Sequence, residues 1–222
     1  PVYYSPYNGK IQDGYMYTDN GFWDTFRAVH PLFTLLYPEV SERVTQSILN
    51  AYDESGFMPE WASPGHRECM IGNNSISLLT DAWMKGIRTI CPEKALEAMI
   101  HQTEARHPGI SSVGRDGFGY YDRLGYVPYP EVHEATAKTL EYAYADWCVA
   151  RFADSIGRKE IADTYYRKAL NYRNLYYPDY GFMWAKDANG KWRDAFDSTE
   201  WGGPFTEGSS WHWTWSVLHD PE

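Results

Sequence analysis

Between positions 131 and 156 the chain runs without glycine, and its only proline-rich stretch lies just before, at Val127-Pro128-Tyr129-Pro130. Within that run Leu140, Tyr144, Trp147 and Phe152 recur at steps of three to five residues. The spacing predicts a long amphipathic helix over 131–156, with Glu134 in its first turn and Glu141 seven residues on, nearly on the same face. The same period predicts helices over 21–37, 40–52, 73–87, 92–106 and 159–175. Pro31 is expected to kink the first of these. Ser41 is expected to N-cap the second, and Pro92 to open the fourth where no N–H donor is needed. The Trp-rich stretch 209–218 begins a further helix, and 184–196, around Asp187-Ala188-Asn189-Gly190, reads as the one short β-hairpin.

A tripeptide of Gly, an aromatic and Met or Val stands at Gly14, Gly56, Gly125 and Gly181, with helical patterns between the copies. Repetition at that interval points to stacked helical hairpins. The expected fold is all-α, an (α/α)6-barrel-type helical toroid left incomplete in this chain, with a plain bundle or solenoid as the alternative. No domain boundary falls within 1–222.

Composition narrows the chemistry. A net charge of −10 argues against nucleic acid or an anionic membrane surface as partner. Apolar runs stay short of a membrane span. Cys69, Cys91 and Cys148 have neither zinc-site nor disulfide-framework spacing. The aromatic share is 17 %, with 10 Trp and 19 Tyr, so beyond a ring-rich core there are rings left to stack on flat ligand faces. The chain starts at Pro1 and ends at Pro221-Glu222, and both ends read as cuts in a longer polypeptide.

Nucleotide-binding, serine-hydrolase and H-E-x-x-H motifs are missing, which leaves carboxylates set among aromatics. Asp24 and Arg27 are three apart on a helical stretch beside Trp23. They form either a plain ion pair or an Asp that accepts sugar hydroxyls, held by Arg27 with Trp23 as stacking platform. Glu134 is either a carboxylate favoured by the helix dipole or an acid in a cleft. Glu207 precedes Trp211-His212-Trp213; a Glu set among Trp residues is either desolvated, which suits a general acid, or binds a ligand. Two carboxyl groups flanking a scissile bond is the requirement of glycoside cleavage.

Gly21-Phe22-Trp23-Asp24-Thr25-Phe26-Arg27 with His30-Pro31-Leu32 resembles glycoside hydrolase family 92, the calcium-dependent exo-α-mannosidases. So do 71–77 (IGNNSIS), 134–147 (EATAKTLEYAYADW) and Glu207-Gly208 followed by Trp211 and His219-Asp220. The four motifs occur in order across nearly all of the chain, and the similarity is to the middle of the family's catalytic domain. The resemblance implies inverting, exo-acting hydrolysis of terminal α-mannosides of glycans. Glu134 would be the general acid; Trp23, Asp24, Arg27, Glu207 and His212 would bind substrate. Ca2+ would sit near Glu207, its ligands not assigned.

The resemblance also implies an N-terminal β-sandwich and a later segment carrying the general base, neither within this chain. The isolated piece is therefore expected to be inactive, and the remainder of the polypeptide to be its partner. Such enzymes look exported, to the periplasm or cell surface. This chain has His212 where the family commonly has Gln, and Thr206 where many α-1,2-specific members have His, so the linkage stays open. The alternatives are another (α/α)-toroid carbohydrate enzyme and a non-catalytic glycan-binding helical module.

Overall fold

The computed structural model describes residues 1–221 and is mainly α-helical, with long loops. The helices are α1 (Phe22–Thr25), α2 (Val29–Leu36), α3 (Pro38–Ser55), α4 (Asn74–Met84), α5 (Pro92–Glu104), α6 (Phe118–Leu124), α7 (Ala135–Ser155), α8 (Lys159–Lys168) and α9 (Ser210–Thr214). Among the described residues the strands form three antiparallel pairs. These are β1 (Val2–Tyr4) with β2 (Ile11–Asp13), β3 (Asn20–Gly21) with β4 (Trp61–Ala62), and β5 (Tyr176–Tyr177) with β6 (Phe182–Met183).

The axis of the molecule is α7, which packs against α4, α5 and α8. Its sequence suggests an amphipathic helix, but 16 of its 21 residues are buried, Lys138, Glu141 and Asp146 included. Alanines at 135, 137, 143, 145, 150 and 153 let neighbours approach closely from all sides, so the polar residues of α7 meet protein partners rather than solvent. Its C-terminal half joins a large core with Ile48, Leu79, Met99, Val149 and Phe152. Burying each such side chain contributes about 1.5–3 kcal/mol. The N-terminal half packs Leu140 into a second core with Trp184, Phe205 and Trp213.

Several boundaries differ from the periodicity. The first helix does not kink at Pro31 but breaks ahead of it, between α1 and α2. A proline cannot donate to the carbonyl four residues earlier, that of Arg27, and the chain departs from helical geometry at Ala28. Ser41 is not an N-cap, because α3 starts at Pro38 and leaves Ser41 buried inside the first turn. Pro92 does open α5. The 159–175 stretch is α8 followed by a 3-10 turn at Asn171–Leu175. The pattern at 209–218 yields only α9.

The predicted hairpin at 184–196 reduces to a turn with one bridge, Lys186 to Trp192. The paired strands lie earlier, at β5 and β6. Asp187 accepts the N–H groups of Asn189 and Lys191 through Oδ1, which satisfies the turn locally without a ladder. The recurring glycines all have positive φ. Gly56 and Gly125 close α3 and α6, while Gly14 follows β2 and Gly181 ends the β5–β6 turn. In three of the four copies the third residue (Met58, Val127, Met183) is buried. The tripeptide therefore marks a left-handed turn followed by a core anchor, not a repeated hairpin.

Candidate active site

The site begins with three consecutive residues at the start of α4, each held by a different buried partner. Asn73 accepts a 2.8 Å hydrogen bond from Arg115 Nε, and Arg115 pairs with Asp146 of α7 at 2.8 Å with both side chains out of water. Asn74 donates through Nδ2 to Glu141 Oε2 at 3.3 Å. Ser75 donates its N–H (3.1 Å) and hydroxyl (2.8 Å) to Glu60, which also accepts from Gln102 Nε2 at 2.9 Å. Burial pushes the Glu60 carboxyl up to about 7, against the pull of these donors. The 71–77 motif thus fastens α4 to α7.

Glu141 also fastens α1. Trp23 Nε1 donates to Glu141 Oε1 at 3.2 Å, and Arg27 Nη2 lies 4.0 Å from the same oxygen. Burial raises the Glu141 carboxyl above the ordinary range, opposed by Arg27, Asn74 and Trp23. The Arg27 guanidinium lies over the rings of Trp23 and Phe26, at 4.8 and 4.6 Å from their centroids. The expected Asp24–Arg27 contact does not form: Arg27 turns toward Glu141, while Asp24 is exposed. Arg27 instead borders a cavity of about 270 Å³ with His30, Asp81 and Tyr144.

Glu134 is not in the first turn of the helix but precedes it, with φ 56° in the left-handed region. That conformation is costly for a non-glycine residue and is held by distant chain. Glu134 N–H donates to the Gly203 carbonyl at 3.2 Å, and the N–H groups of Thr136 and Ala137 donate to the Pro204 carbonyl. The side chain, one quarter exposed, borders a cleft of about 160 Å³ and lies 3.6 Å from His133 Nδ1. Glu68, Ser111, Ser112 and Lys138 border the same cleft. Glu68, Ser111 and Ser112 do not stand out in the sequence, because their loops have no periodicity, and Lys138 lies within α7. Lys138 Nζ is held at 3.0 Å by Asp116, which also binds Arg106.

Glu207 is exposed rather than desolvated, and its backbone is left-handed at φ 43°. Of the nearby rings Trp211 is exposed and Trp213 is buried, donating Nε1 to the Thr206 carbonyl at 2.9 Å. His212 Nδ1 accepts the Ser209 N–H at 3.1 Å and closes the start of α9, while its ring meets exposed Trp201 edge-on. His219 and Asp220 bind elsewhere, to the Ala169 carbonyl and to Arg173 respectively. Among the described residues no three His, Cys, Asp or Glu side chains converge as a metal site. The Glu207 segment by itself offers one carboxylate, whereas calcium takes six to eight oxygens, so this segment alone does not fit the ion.

A carboxyl at a cleft, with exposed Glu68 and buried Tyr142 also lining it on a helical scaffold, is compatible with a carbohydrate-cleaving domain. The glycosyl hydrolase family 92 catalytic domain matches residues 2–222, and the chain belongs to that family. The chain is 83 % identical, with a TM-score of 0.99, to the family GH92 inverting mannosidase BT2199 from Bacteroides thetaiotaomicron VPI-5482. That match covers 100 % of this chain and 30 % of the other. The family GH92 α-mannosidase BT3965 of the same species, solved in complex with mannoimidazole, is 32 % identical with a TM-score of 0.88, over 96 % of this chain and 29 % of its own.

A protein of Arthroderma benhamiae named as an uncharacterized secreted glycosidase is 26 % identical over 168 residues, 70 % of this chain and 22 % of that protein. The chain therefore spans less than a third of the length of these relatives. No helix among the described residues is long and apolar enough to cross a membrane.

Proposed function

We propose that this chain is part of an exo-acting α-mannosidase that removes terminal α-mannosides from glycans with inversion, Glu134 being the general acid. The observation that carries the reading is the Glu134 carboxyl. It stands at the mouth of a cleft, on a backbone pinned in a costly conformation by residues far along the chain. Family membership and the inverting mannosidase relative support the substrate class. Glu134 donates its proton to the departing glycosidic oxygen, and Trp23, Asp24, Arg27, Glu207 and His212 bind the sugars.

Inversion requires a second carboxylate, typically 6.5–9.5 Å from the acid, to activate water. We place that base in a later segment of the polypeptide, within a completed (α/α)6 toroid that follows a β-sandwich. Calcium, with most of its ligands drawn from outside the Glu207 segment, is included on the strength of the family. Export to the periplasm or cell surface follows from the family and from the secreted relative's name.

The test is hydrolysis of an aryl α-mannoside and of α-1,2-mannobiose by the full-length protein. Glu134→Gln is expected to lower turnover by about 10²–10⁴-fold while sugar affinity persists. Full activity in that variant would end the assignment of the acid. Absence of any turnover in the wild type would favour a glycan-binding module. Turnover by the isolated 222-residue chain, abolished by Glu134→Gln, would refute placing the base elsewhere. Activity that survives thorough chelation would count against calcium.

A further inference from the structure

We infer that Glu141 is a positioning residue: it holds Trp23 of α1, and Arg27 just past the end of that helix, in fixed register with the helix that Glu134 begins. The inference rests on reading the domain as a mannoside hydrolase, and it assigns a role to a carboxyl that the proposed mechanism leaves unused. Both oxygens of this buried group are occupied from neighbouring elements. Oε1 takes the Trp23 indole N–H with Arg27 close by, and Oε2 takes the Asn74 amide. Gly72 packs so tightly against it that a Cβ there would lie 2.6 Å from Oε2.

Gly72 also borders the Glu134 cleft, and Arg27 borders the cavity of about 270 Å³, so Glu141 touches a lining residue of each. It lies on α7, whose first residue follows Glu134 directly. One rigid helix therefore carries the acid at its mouth and the anchor of the Trp23–Arg27 motif two turns further in. A charge buried at such a point is expensive unless fully bonded. Glycine at 72 and an amide at 74 match that demand. Misplacement of binding groups by about 1 Å can cost about 10²-fold in rate.

The experiment compares Glu141→Gln, Trp23→Phe and the double variant in the full-length protein, with both substrates above and thermal midpoints recorded. Trp23→Phe keeps a ring but removes the indole donor. Glu141→Gln is expected to lower kcat/KM by about 10²-fold, alike on both substrates, because the contacts it sets are to the terminal sugar that both share. Glu141→Gln removes the charge facing Arg27 and turns an NH2 toward either Trp23 or Asn74, both of them donors, so the double variant should fall little below Glu141→Gln alone.

A folded Glu141→Gln protein within about threefold of wild type overturns the inference, as do losses that multiply in the double variant. Should Glu141→Gln not fold, a folded Trp23→Phe protein with unchanged kcat/KM overturns it equally, and a loss there supports it. A wild type that turns over neither substrate removes the functional reading and this inference with it. A hydrolysing wild type with an unaffected Glu141→Gln removes this inference alone.

Discussion

The starts of α4 and α7 are finished in opposite ways. At α4 the side chains of Asn73, Asn74 and Ser75 are spent on Arg115, Glu141 and Glu60, all buried. At α7 the first N–H groups are satisfied by main-chain carbonyls of Gly203 and Pro204, and the Glu134 side chain is left to the cleft. One end uses carboxylates to fix geometry and the other keeps a carboxylate available. Left-handed non-glycine residues accompany the second: Met70 and Glu134 border the cleft, and Glu207 sits in the adjoining loop. Asp19 and Ala195 are left-handed too and lie outside the cleft lining, but at Glu134 the strained geometry is imposed by chain about 70 residues away.

The contrast breaks most violently at Arg115. Replacing it with Met leaves the Asp146 charge buried and unpaired, and should cost about 3–5 kcal/mol of stability in urea unfolding. Arg106→Met, at a half-exposed pair with Asp116, should cost at most about 1 kcal/mol. Comparable losses at the two positions would mean that the clamp is no more demanding than the rim.

Glu60 gives a pH test of the same end. Its folded carboxyl titrates near 7 against an ordinary 4.5, so the folded state holds the proton more tightly. Stability from this group is present below about pH 4.5 and is lost as pH rises through 7, by on the order of 3 kcal/mol. Glu60→Gln cannot ionise, so wild type should weaken relative to it across that window. A stability difference that stays flat between pH 4.5 and 8 would show that the donors from Ser75 and Gln102 outweigh burial.

Much of this division was visible in the chain and part of it was not. Apolar period located the long helices, and four motifs in order located the family, because both depend on residues near one another. The start of α7 is not legible in the sequence, because Glu134 is followed by strong helix formers and carbonyls about 70 residues away hold it outside the helix. Glu141 carried a hint in its seven-residue spacing from Glu134. A charge in mid-helix nonetheless reads as a solvent face until its donors, on α1 and α4, are brought to it. The helix α6 went unread because it is short and lies between Gly117 and Gly125. Glu207 reads as set among Trp residues, yet Trp213 spends its N–H on the backbone and the carboxylate stays exposed.

The smallest expected effect sharpens the comparison most. At φ 43° Glu207 sits where an L-residue loses about 1–2 kcal/mol, and glycine relieves that at some cost in unfolded-chain entropy. Glu207→Gly should therefore stabilise the protein by about 1 kcal/mol, because the exposed side chain gives up no buried contact. The corresponding change at the clamp, Ser75→Gly, has the opposite sign: it removes a hydroxyl bonded to buried Glu60 and puts glycine inside a helix. If Glu207 serves the sugar as proposed, its gain in stability is accompanied by weaker mannoside binding in calorimetry. A stabilised Glu207→Gly protein that binds the sugar as tightly as wild type would leave the strain without a use and remove Glu207 from the site.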